Sequence, residues 1–239
     1  MYRVQKILSM LGIMSRRKSE YSISKGLIKI NNSVAMLGSK VKIGDIITFN
    51  KKDYLVSNKI FNYEVKMILY NKPVNEIVST TDTHQRKTVF DSLPNVDGKW
   101  INIGRLDYLT SGLLLFCNNG DLANLIMHPS SNIKRVYEVF VNGALNSSKI
   151  SECKNGVDIG KSEIGKLTDY KIIDDNKVIV SLYTGKNREV RRIFDYIGNK
   201  VLKLKRIQYG NIKLSNLREG EYRFLSSNEI NKFKLLLKN

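Results

Sequence analysis

The segment from Gly104 to Phe116, which runs GRLDYLTSGLLLF, constrains the fold of this chain more than any other stretch. Its second half is an unbroken apolar run, and such a run next to turn residues predicts a buried strand. The small residues 110–112 allow the chain to bend before that strand. The segment therefore predicts one carboxylate, Asp107, at the edge of a packed core, with Arg105 two positions before it. An Asp ahead of Thr-Ser-Gly is equally typical of a turn cap, so other segments must decide its role.

The chain is strongly basic. It holds 40 Lys and Arg against 22 Asp and Glu among 239 residues, which gives a formal net charge of +18. Such an excess predicts a polyanionic partner, with nucleic acid as the first candidate and a membrane surface as the weaker one. Residues 1–60 hold 12 basic and 3 acidic residues, which is half of the excess in a quarter of the chain. This asymmetry predicts a small basic module ahead of a larger domain.

Hydropathy and cysteine usage indicate where the protein works. No segment approaches the roughly 20 apolar residues of a transmembrane helix. The first residues lack the apolar core of a signal peptide. The two cysteines, at positions 117 and 153, are expected to be reduced thiols. We therefore expect a cytoplasmic protein that has no membrane partner. Hydrophobic residues make up 42% of the chain, which is enough to form a packed core.

The first 49 residues predict two short helices packed on a few strands. Apolar residues at positions 4, 7, 8 and 11 follow the spacing of one helix face. A second helix is predicted over 15–25 with Ser15 as its cap, and strands are predicted within 27–31 and 41–49. Cations and free backbone N–H groups at the start of the second helix favour a phosphate. These cations are Arg16, Arg17 and Lys18.

This stretch resembles the S4 RNA-binding domain. The likeness covers Arg3 to about Phe49 and rests on the segments 3–6 (RVQK), 15–20 (SRRKSE), 26–31 (GLIKIN) and 41–45 (VKIGD). It implies an RNA-binding domain over 1–49 whose contacts include Arg3, Arg16, Arg17 and Lys18. A solvated basic helix pair without a partner is the alternative, which the clustering of the charges disfavours. Residues 50–66 are polar and weakly periodic, and they are predicted to be a linker.

A second domain is predicted over 67–239. Strand-like runs dominate it and do not alternate regularly with helical ones, which disfavours a parallel doubly wound sheet. We predict an α+β fold whose mixed, mainly antiparallel sheet is flanked by helices. Strands are predicted at 67–70, 99–103, 113–117, 136–142, 177–183, 201–204 and 222–225, and helices at 121–127, 146–152, 188–197 and 228–238.

Two further segments of this domain are candidates for chemistry. Residues 134–139 (KRVYEV) combine two cations with Tyr137 at a strand start, and alone this would be ordinary strand packing. Residues 185–193 (GKNREVRRI) predict a Gly turn that enters a cationic helix. Residues 185–206 hold eight Lys or Arg and two acids, too few to balance the charge along a solvated helix. We interpret this region as a phosphate-binding surface.

Together the three segments resemble the RNA pseudouridine synthases, and most closely the branch that acts on ribosomal RNA and carries an N-terminal S4 domain. Residues 104–113 match the family's catalytic motif, and 119–129 continue it in register. Residues 134–137 match its tyrosine motif, and 185–193 with 198–210 match its C-terminal motifs. Residues 71–73 (NKP) are also family-like. Three places depart from the pattern. Asn75 stands where Gly is usual, although Asn still reaches a left-handed conformation. Asn118-Asn119 stands where Thr-Asn is usual, and Glu189 stands where Gln is common and is expected to alter RNA contacts.

The resemblance implies the isomerisation of a uridine to pseudouridine, in which C1′–N1 breaks and the uracil is rejoined through C5. It implies Asp107 as the nucleophile or base, Tyr137 as a side chain that stacks on the target base, and Arg191 as the partner of Asp107. A neighbouring Arg lowers the pKa of a carboxylate and keeps it ionised. Arg105 is implied to hold the flipped-out nucleotide or to fill its place. The other implied RNA contacts are Lys134, Lys186, Arg188, Arg192 and Arg206.

The expected partner is ribosomal RNA, as a hairpin or pre-ribosomal substrate, and the chain is expected to act as a monomer without a metal or an organic cofactor. The sequence has no GxxxxGK[ST] or GxGxxG loop, and its histidines and cysteines lack metal-ligand spacing. A non-catalytic S4-type RNA-binding or ribosome-assembly protein is the competing hypothesis, which an intact acid, tyrosine and arginine set disfavours. An S4-bearing methyltransferase is a third hypothesis, which is disfavoured because it would need a Gly-rich cofactor loop that the sequence does not contain. The target uridine and the ribosomal subunit stay open.

Overall fold

The computed structural model describes residues 1–236, and these form two compact units. The first unit comprises residues 1–65 with 95–100, and the second comprises 66–94 and the chain from 101 onward. Residues 237 and 238 of the last predicted helix lie outside the described residues.

The first unit packs two short helices, α1 (Val4–Met10) and α2 (Arg16–Ser24), against small sheets. Positions 4, 7 and 8, which share the predicted helical spacing, are fully buried in the core of this unit. Its strands are β1 (Tyr2–Arg3), β2 (Ile28–Ile30), β3 (Ser33–Val34), β4 (Lys40–Val41), β5 (Ile46–Phe49) and β6 (Lys52–Leu55). A four-stranded antiparallel sheet has the order β3-β2-β5-β6, and β1 pairs separately with β4.

The prediction of a linker over 50–66 is wrong, because residues 50–65 belong to the first unit. Asn50 and Lys51 have φ of 49° and 60°, so they form the left-handed two-residue turn of a hairpin between β5 and β6. Val56 after β6 is fully buried, and Phe61 stacks on Tyr2 with ring centroids 4.3 Å apart. The hairpin was not predicted from the sequence, because the hairpin turn lacks Gly and the short edge strand β6 begins with charged residues.

The second unit is built on a nine-stranded sheet. Its strands are β7 (Met67–Lys72), β8 (Ile101–Ile103), β9 (Thr110–Cys117), β10 (Arg135–Val141), β13 (Asp169–Asp174), β14 (Lys177–Leu182), β15 (Val201–Tyr209), β16 (Ile212–Lys213) and β17 (Tyr222–Phe224). A separate two-stranded sheet contains β11 (Val157–Asp158) and β12 (Ile164–Gly165). The helices are α3 (Gly120–Met127), α4 (Ser147–Glu152), α5 (Glu189–Tyr196) and α6 (Ser227–Leu236). Short 3₁₀ turns occupy Asn58–Ile60 in the first unit and Val89–Ser92 and Pro129–Ser131 in the second.

The large sheet is mixed and mainly antiparallel, as predicted. Its main path is β13-β14-β10-β15-β9-β7-β17, with β16 beside β15 and β8 beside β9. Among the described strands, β9 and β15 form the one parallel pair of this sheet, with Leu204 opposite Thr110 and Arg206 opposite Gly112. Helix α3 packs on β8 and β9, and α5 packs near β15. Strand β13 and the two-stranded sheet were not predicted, since the polar residues of these short strands weaken the strand pattern.

Strand β9 is the centre of the core. All eight of its residues are buried, and so are all six residues of its neighbour β7. Strands that are covered on both faces appear in a sequence as continuous apolar runs instead of alternation, which is why the run after Gly112 predicted this strand. Because β7 and β15 pair with β9 on its two sides, the position at which the preceding turn joins Thr110 is fixed.

Gly112 allows β9 and β15 to approach closely. Its φ is +101°, which only glycine adopts without strain, and a Cβ at this position would overlap the carbonyl oxygen of Arg206 and lie 2.8 Å from its nitrogen. The neighbour that would have to move is backbone inside a parallel strand pair, so it has little freedom to shift.

We predict that Gly112→Ala lowers the free energy of unfolding by more than about 3 kcal/mol, since the overlap adds to a positive-φ cost of about 1–3 kcal/mol. Gly143→Ala is the matched control, because Gly143 has φ +69° with no atom within 4 Å of a Cβ there. Denaturant unfolding measures both changes. Equal losses in the two variants would contradict the close approach.

Candidate active site

A cleft of about 440 Å³ opens in the second unit around the turn before β9, the faces of β10 and β15, and the start of α5. It brings together six of the residues that the sequence singled out: Arg105, Asp107, Tyr137, Lys186, Arg188 and Arg206. Lys134, Arg191 and Arg192 belong to the same unit but do not line the cleft. The candidates near the N-terminus belong to the first unit.

Asp107 is half-buried on the turn between β8 and β9. Within residues 1–236, no group donates a hydrogen bond to its carboxylate. Two buried cations, Lys72 and Arg191, are close enough for Asp107 to raise the pKa of each. The carboxylate therefore faces the cleft as an open acceptor in a positive field.

Three donors from two separate segments, the end of β7 with the residues just after it and helix α5, hold the backbone of the Asp107 turn. They donate to three successive carbonyls. Asn75 N–H donates to Tyr108 O at 2.8 Å, Arg191 Nη2 donates to Leu109 O at 2.8 Å, and Lys72 Nζ donates to Thr110 O at 3.0 Å. The turn is thus fixed by groups that lie far from it in the sequence.

Asn75 adopts the left-handed conformation that the sequence analysis expected to be within its reach, with φ +66°. In this conformation its backbone N–H is directed to the turn.

The direct pair between Arg191 and Asp107 that the resemblance implied is not formed. The Arg191 guanidinium is 6% exposed and donates to Leu109 O and, at 2.9 Å, to Val201 O. Burial, together with Arg188, lowers the pKa of Arg191, while Asp107 and Asp195 raise it. Arg191 therefore acts on Asp107 through charge and through the backbone of the turn, which the sequence motif alone does not specify.

Lys72 is a site residue that the sequence reasoning missed. It is fully buried at the end of β7, and its ammonium donates to Pro73 O at 2.7 Å as well as to Thr110 O. Burial lowers the pKa of Lys72 to about 8, and Glu76, Asp107 and Glu219 oppose this shift. A lysine at the end of a buried strand was the available signal, since lysines are almost never buried without partners.

A second buried group stands near Lys72. Glu76 is 2% exposed, accepts a 2.6 Å hydrogen bond from Tyr70 Oη and forms a 2.7 Å ion pair with Lys87. Burial and this carboxylate raise the pKa of the Tyr70 phenol. Glu76 is therefore fully engaged and serves as a fixed negative charge that partly offsets the desolvation of Lys72.

Tyr137 lies on β10, where it is opposite Val180 on one side and Arg206 on the other. It is 8% exposed and lines the cleft. Within the described chain, no hydrogen bond engages its hydroxyl. Its ring is thus available to a planar group that enters the cleft.

Arg206 was expected to contact RNA, but the structure uses it internally. It is 2% exposed, its Nε donates to Leu113 O at 2.7 Å, and its guanidinium lies 5.2 Å from the ring centroid of Tyr209. Arg135 lies 5.1 Å from the centroid of the same ring. Arg206 therefore fixes β9 and the cleft floor instead of offering a free charge to a phosphate.

Arg192 is also engaged within the protein, contrary to the expectation that it grips phosphates. Its guanidinium donates to Glu163 Oε2 at 2.5 Å, to Ile159 O at 2.7 Å and to Gly160 O at 2.5 Å. It donates further to Asn187 O at 3.1 Å. Arg192 thus ties α5 to the small β11–β12 sheet.

The loop before α5 presents the remaining cations. Glu189 is buried at the edge of the cleft and accepts hydrogen bonds from Thr184 Oγ1 at 2.6 Å and from the Lys186 backbone N–H at 2.9 Å, so it braces the loop. The Lys186 ammonium donates to Ile164 O at 2.5 Å. Arg188 is exposed in the cleft with φ +50°, a left-handed conformation that is strained for a non-glycine residue. Lys134 is partly exposed.

The basic candidates of the first unit are exposed. Ser15 caps α2 as predicted, since its Oγ accepts a 3.2 Å hydrogen bond from the Lys18 backbone N–H. Arg16, Arg17 and Lys18 follow in the first turn of the helix, and Arg3 precedes α1.

Neither thiol is near this chemistry: Cys117 and Cys153 are buried, and burial raises the pKa of each to about 11. Over residues 1–236, no three His, Cys, Asp or Glu side chains come together as a metal site. The helices within that range are all too short or too polar to cross a membrane.

The sequence and the fold of this chain are both similar to those of known proteins. The family model for RNA pseudouridylate synthases matches residues 66–196. The chain is 40% identical to "Ribosomal large subunit pseudouridine synthase B" of Buchnera aphidicola subsp. Acyrthosiphon pisum, over 98% of this chain and 97% of that protein. It is 39% identical to the protein of the same name from Pseudomonas aeruginosa, over 95% of this chain and 60% of that protein.

A solved structure agrees with the sequence relatives. "Crystal structure of pseudouridylate synthase" superimposes with a TM-score of 0.70 and 26% identity, over 98% of this chain and all of that one. The chain belongs to the RNA pseudouridylate synthase family. The resemblance inferred from its motifs is therefore confirmed for the catalytic family.

The lowered pKa of Lys72 predicts a specific pH dependence of stability. Because the folded pKa of about 8 lies below the ordinary lysine value, the cost of the buried charge is fully present below pH 8. The free energy of unfolding should therefore rise between about pH 8 and 10.5, by roughly 3 kcal/mol from this group. Lys72→Met should remove that rise, whereas Lys203→Met, at an exposed position, should keep it. Parallel stability curves for wild type and Lys72→Met between pH 7 and 10.5 would contradict the assignment.

Proposed function

We propose that this protein converts a uridine of large-subunit ribosomal RNA into pseudouridine, with Asp107 as the reacting acid. The observation that carries the proposal is the Asp107 carboxylate, which accepts no hydrogen bond from the described residues and faces a cleft that also holds Tyr137. The relatives named as large-subunit synthases, 40% identical over nearly the whole length, support ribosomal RNA as the substrate.

The reaction is an isomerisation. The C1′–N1 bond of the uridine breaks, the uracil turns, and C5 forms the new bond to C1′, so no electrons are gained or lost. Asp107 serves as nucleophile or base in this exchange. A paired uridine is out of reach of the carboxylate, so the nucleotide must leave the stem at a cost of a few kcal/mol. The cleft of about 440 Å³ is of a size to receive it, with the Tyr137 ring against the uracil.

Two buried cations place the acid in a positive electrostatic field. Lys72 and Arg191 both interact electrostatically with Asp107, and neither is accessible to the phosphates of the substrate. Their hydrogen bonds to the turn also fix where the carboxylate stands.

The RNA backbone is held by the cations that remain free. Since Arg192, Arg206 and the Lys186 ammonium donate to protein groups, we assign the phosphate contacts around the cleft to Arg105 and Arg188, with Lys134 beside them. Arg105 also stands next to the acid, where it can hold the extracted nucleotide. Such contacts offset the cost of extraction and make binding dependent on salt.

We further propose that the first unit is an S4-type RNA-binding module that increases the affinity for ribosomal RNA. Its support is the exposed cluster Arg16, Arg17 and Lys18 at the capped start of α2, with Arg3 before α1. The positive end of a helix and three basic side chains favour the same ligand, a phosphate.

We expect Asp107→Asn to reduce pseudouridine formation to background while the affinity for RNA changes by less than about threefold, since the variant removes the reacting group but none of the phosphate contacts. Asp169→Asn, on the edge strand β13, is the matched control and should be fully active. Chemical labelling of pseudouridine followed by primer extension on ribosomal RNA measures the product. Asp107→Asn at near wild-type activity would overturn the assignment.

The substrate is tested by mapping pseudouridines in ribosomal RNA from cells with and without this chain. One site in large-subunit RNA should be lost and should return when the wild-type chain, but not Asp107→Asn, is supplied. A loss confined to small-subunit RNA would contradict the proposed substrate.

We predict that replacing Arg16 and Arg17 together by Gln weakens RNA binding and flattens its dependence on salt. Each lost phosphate contact changes the slope of log K against log salt by about 0.7–0.9, so the change should be at most about two. Lys51 and Lys52, exposed in the β5–β6 hairpin of the same unit, provide a double Gln control of equal charge. An unchanged slope for the Arg16 and Arg17 variant would show that this module does not contact phosphate.

A further inference from the structure

The turn that carries Asp107 also carries two exposed apolar side chains. Tyr108 is 39% exposed and Leu109 is 54% exposed. The residues on either side of them, Asp107 and Thr110, line the cleft, but Tyr108 and Leu109 do not. The pair therefore stands at the rim of the cleft, exposed to solvent. Single exposed apolar residues are ordinary, but two in succession next to the proposed reacting acid form a candidate binding surface.

The exposure of this pair is built into the fold. The Tyr108 carbonyl is held by Asn75 N–H and the Leu109 carbonyl by the buried Arg191, each at 2.8 Å. The turn therefore has no freedom to rotate the two side chains into the core. Their unfavourable contact with water is relieved only when another molecule covers them.

The surroundings of the pair suit RNA. The guanidinium of Arg86 lies 5.9 Å from the ring centroid of Tyr108 and is itself held by Asp82 Oδ1 at 2.7 Å and Oδ2 at 3.0 Å. On the other side of the acid, Arg105 is exposed. The Tyr108 ring, which Arg86 braces, and the Leu109 side chain offer an apolar surface of the kind on which a base stacks, and Arg105 is an exposed cation for a neighbouring phosphate.

We infer that Tyr108 and Leu109 stack on the base next to the target uridine and hold open the gap that the uridine has left. This inference rests on the proposed function, and it gives the rim pair a role in extraction that is separate from the chemistry at Asp107. When a nucleotide leaves a stem, its neighbour loses a stacking partner, and an apolar wedge that takes its place recovers part of that loss. The pair is thus a positioning element for paired substrates.

The test compares two RNAs that contain the mapped uridine. In one hairpin the uridine is paired within the stem, and in the other it is an unpaired bulge, so that no pair must be broken. The double variant Tyr108→Ala/Leu109→Ala should lose about tenfold or more in single-turnover rate on the paired RNA and less than about threefold on the bulged RNA. The matched control is Tyr222→Ala/Leu125→Ala, at positions 38% and 48% exposed in the same unit, and it should act like wild type on both RNAs.

A second readout does not depend on turnover. With 2-aminopurine in place of the base beside the uridine, wild type and Asp107→Asn should change its fluorescence on binding, and the double variant should not. Equal losses of rate on the two RNAs, or no loss on either, would overturn the inference. A fluorescence change in the double variant as large as that in wild type would also overturn it. If wild type forms no pseudouridine in either RNA yet gives the fluorescence change, the proposed function fails while the stacking surface stands.

Discussion

The site depends on one set of hydrogen bonds, those that fix three successive carbonyls of the turn before β9. Lys72 and Asn75 come from the end of β7 and the residues just after it, Arg191 comes from α5, and each of the three donates to one carbonyl of this turn. Two of the three donors are buried cations, so the groups that hold the backbone also set the electrostatic potential at Asp107. The position of Asp107 and the electrostatic potential around it are therefore both set by Lys72 and Arg191. A substitution of either cation is expected to change both properties.

The basic character of the chain serves two distinct purposes in the second unit. Lys72, Arg191 and Arg206 are buried and donate to main-chain carbonyls, although burying a cation is costly. Arg191 Nε and Arg206 Nη2 have no hydrogen-bond partner within the described residues, which adds to that cost. The exposed cations, such as Arg105 and Arg188, are free to meet a ligand. A count of Lys and Arg does not separate these groups, because only packing decides which cations are used internally.

Much of the fold and of the site could be predicted from the sequence. The mixed sheet, the buried strand after Gly112 and the cap at Ser15 follow from local patterns of hydropathy and small polar residues. The convergence of Asp107 and Tyr137 on one cleft follows from motifs that are matched together.

What could not be predicted depends on contacts between distant segments. The internal partners of Arg192 and Arg206, the role of Lys72 and the failure of Arg191 to bond Asp107 directly all require the three-dimensional arrangement. The β5–β6 hairpin, in the region predicted to be a linker, was not predicted for a different reason. Its turn at 50–51 contains no glycine, which is the usual sequence signal of such a turn.

The parallel pairing of β9 with β15 has a consequence for how the site comes into being. Arg191 is 82 residues from Leu109, the carbonyl that it holds, and Arg206 is 93 residues from its acceptor Leu113. Contacts of such high sequence separation form only after long loops have closed, which is slow compared with local folding. The Asp107 turn is consequently completed only when α5 and β15 have reached their places. A nascent chain that ends before residue 191 can display its basic surfaces but has no finished site with which to act on RNA.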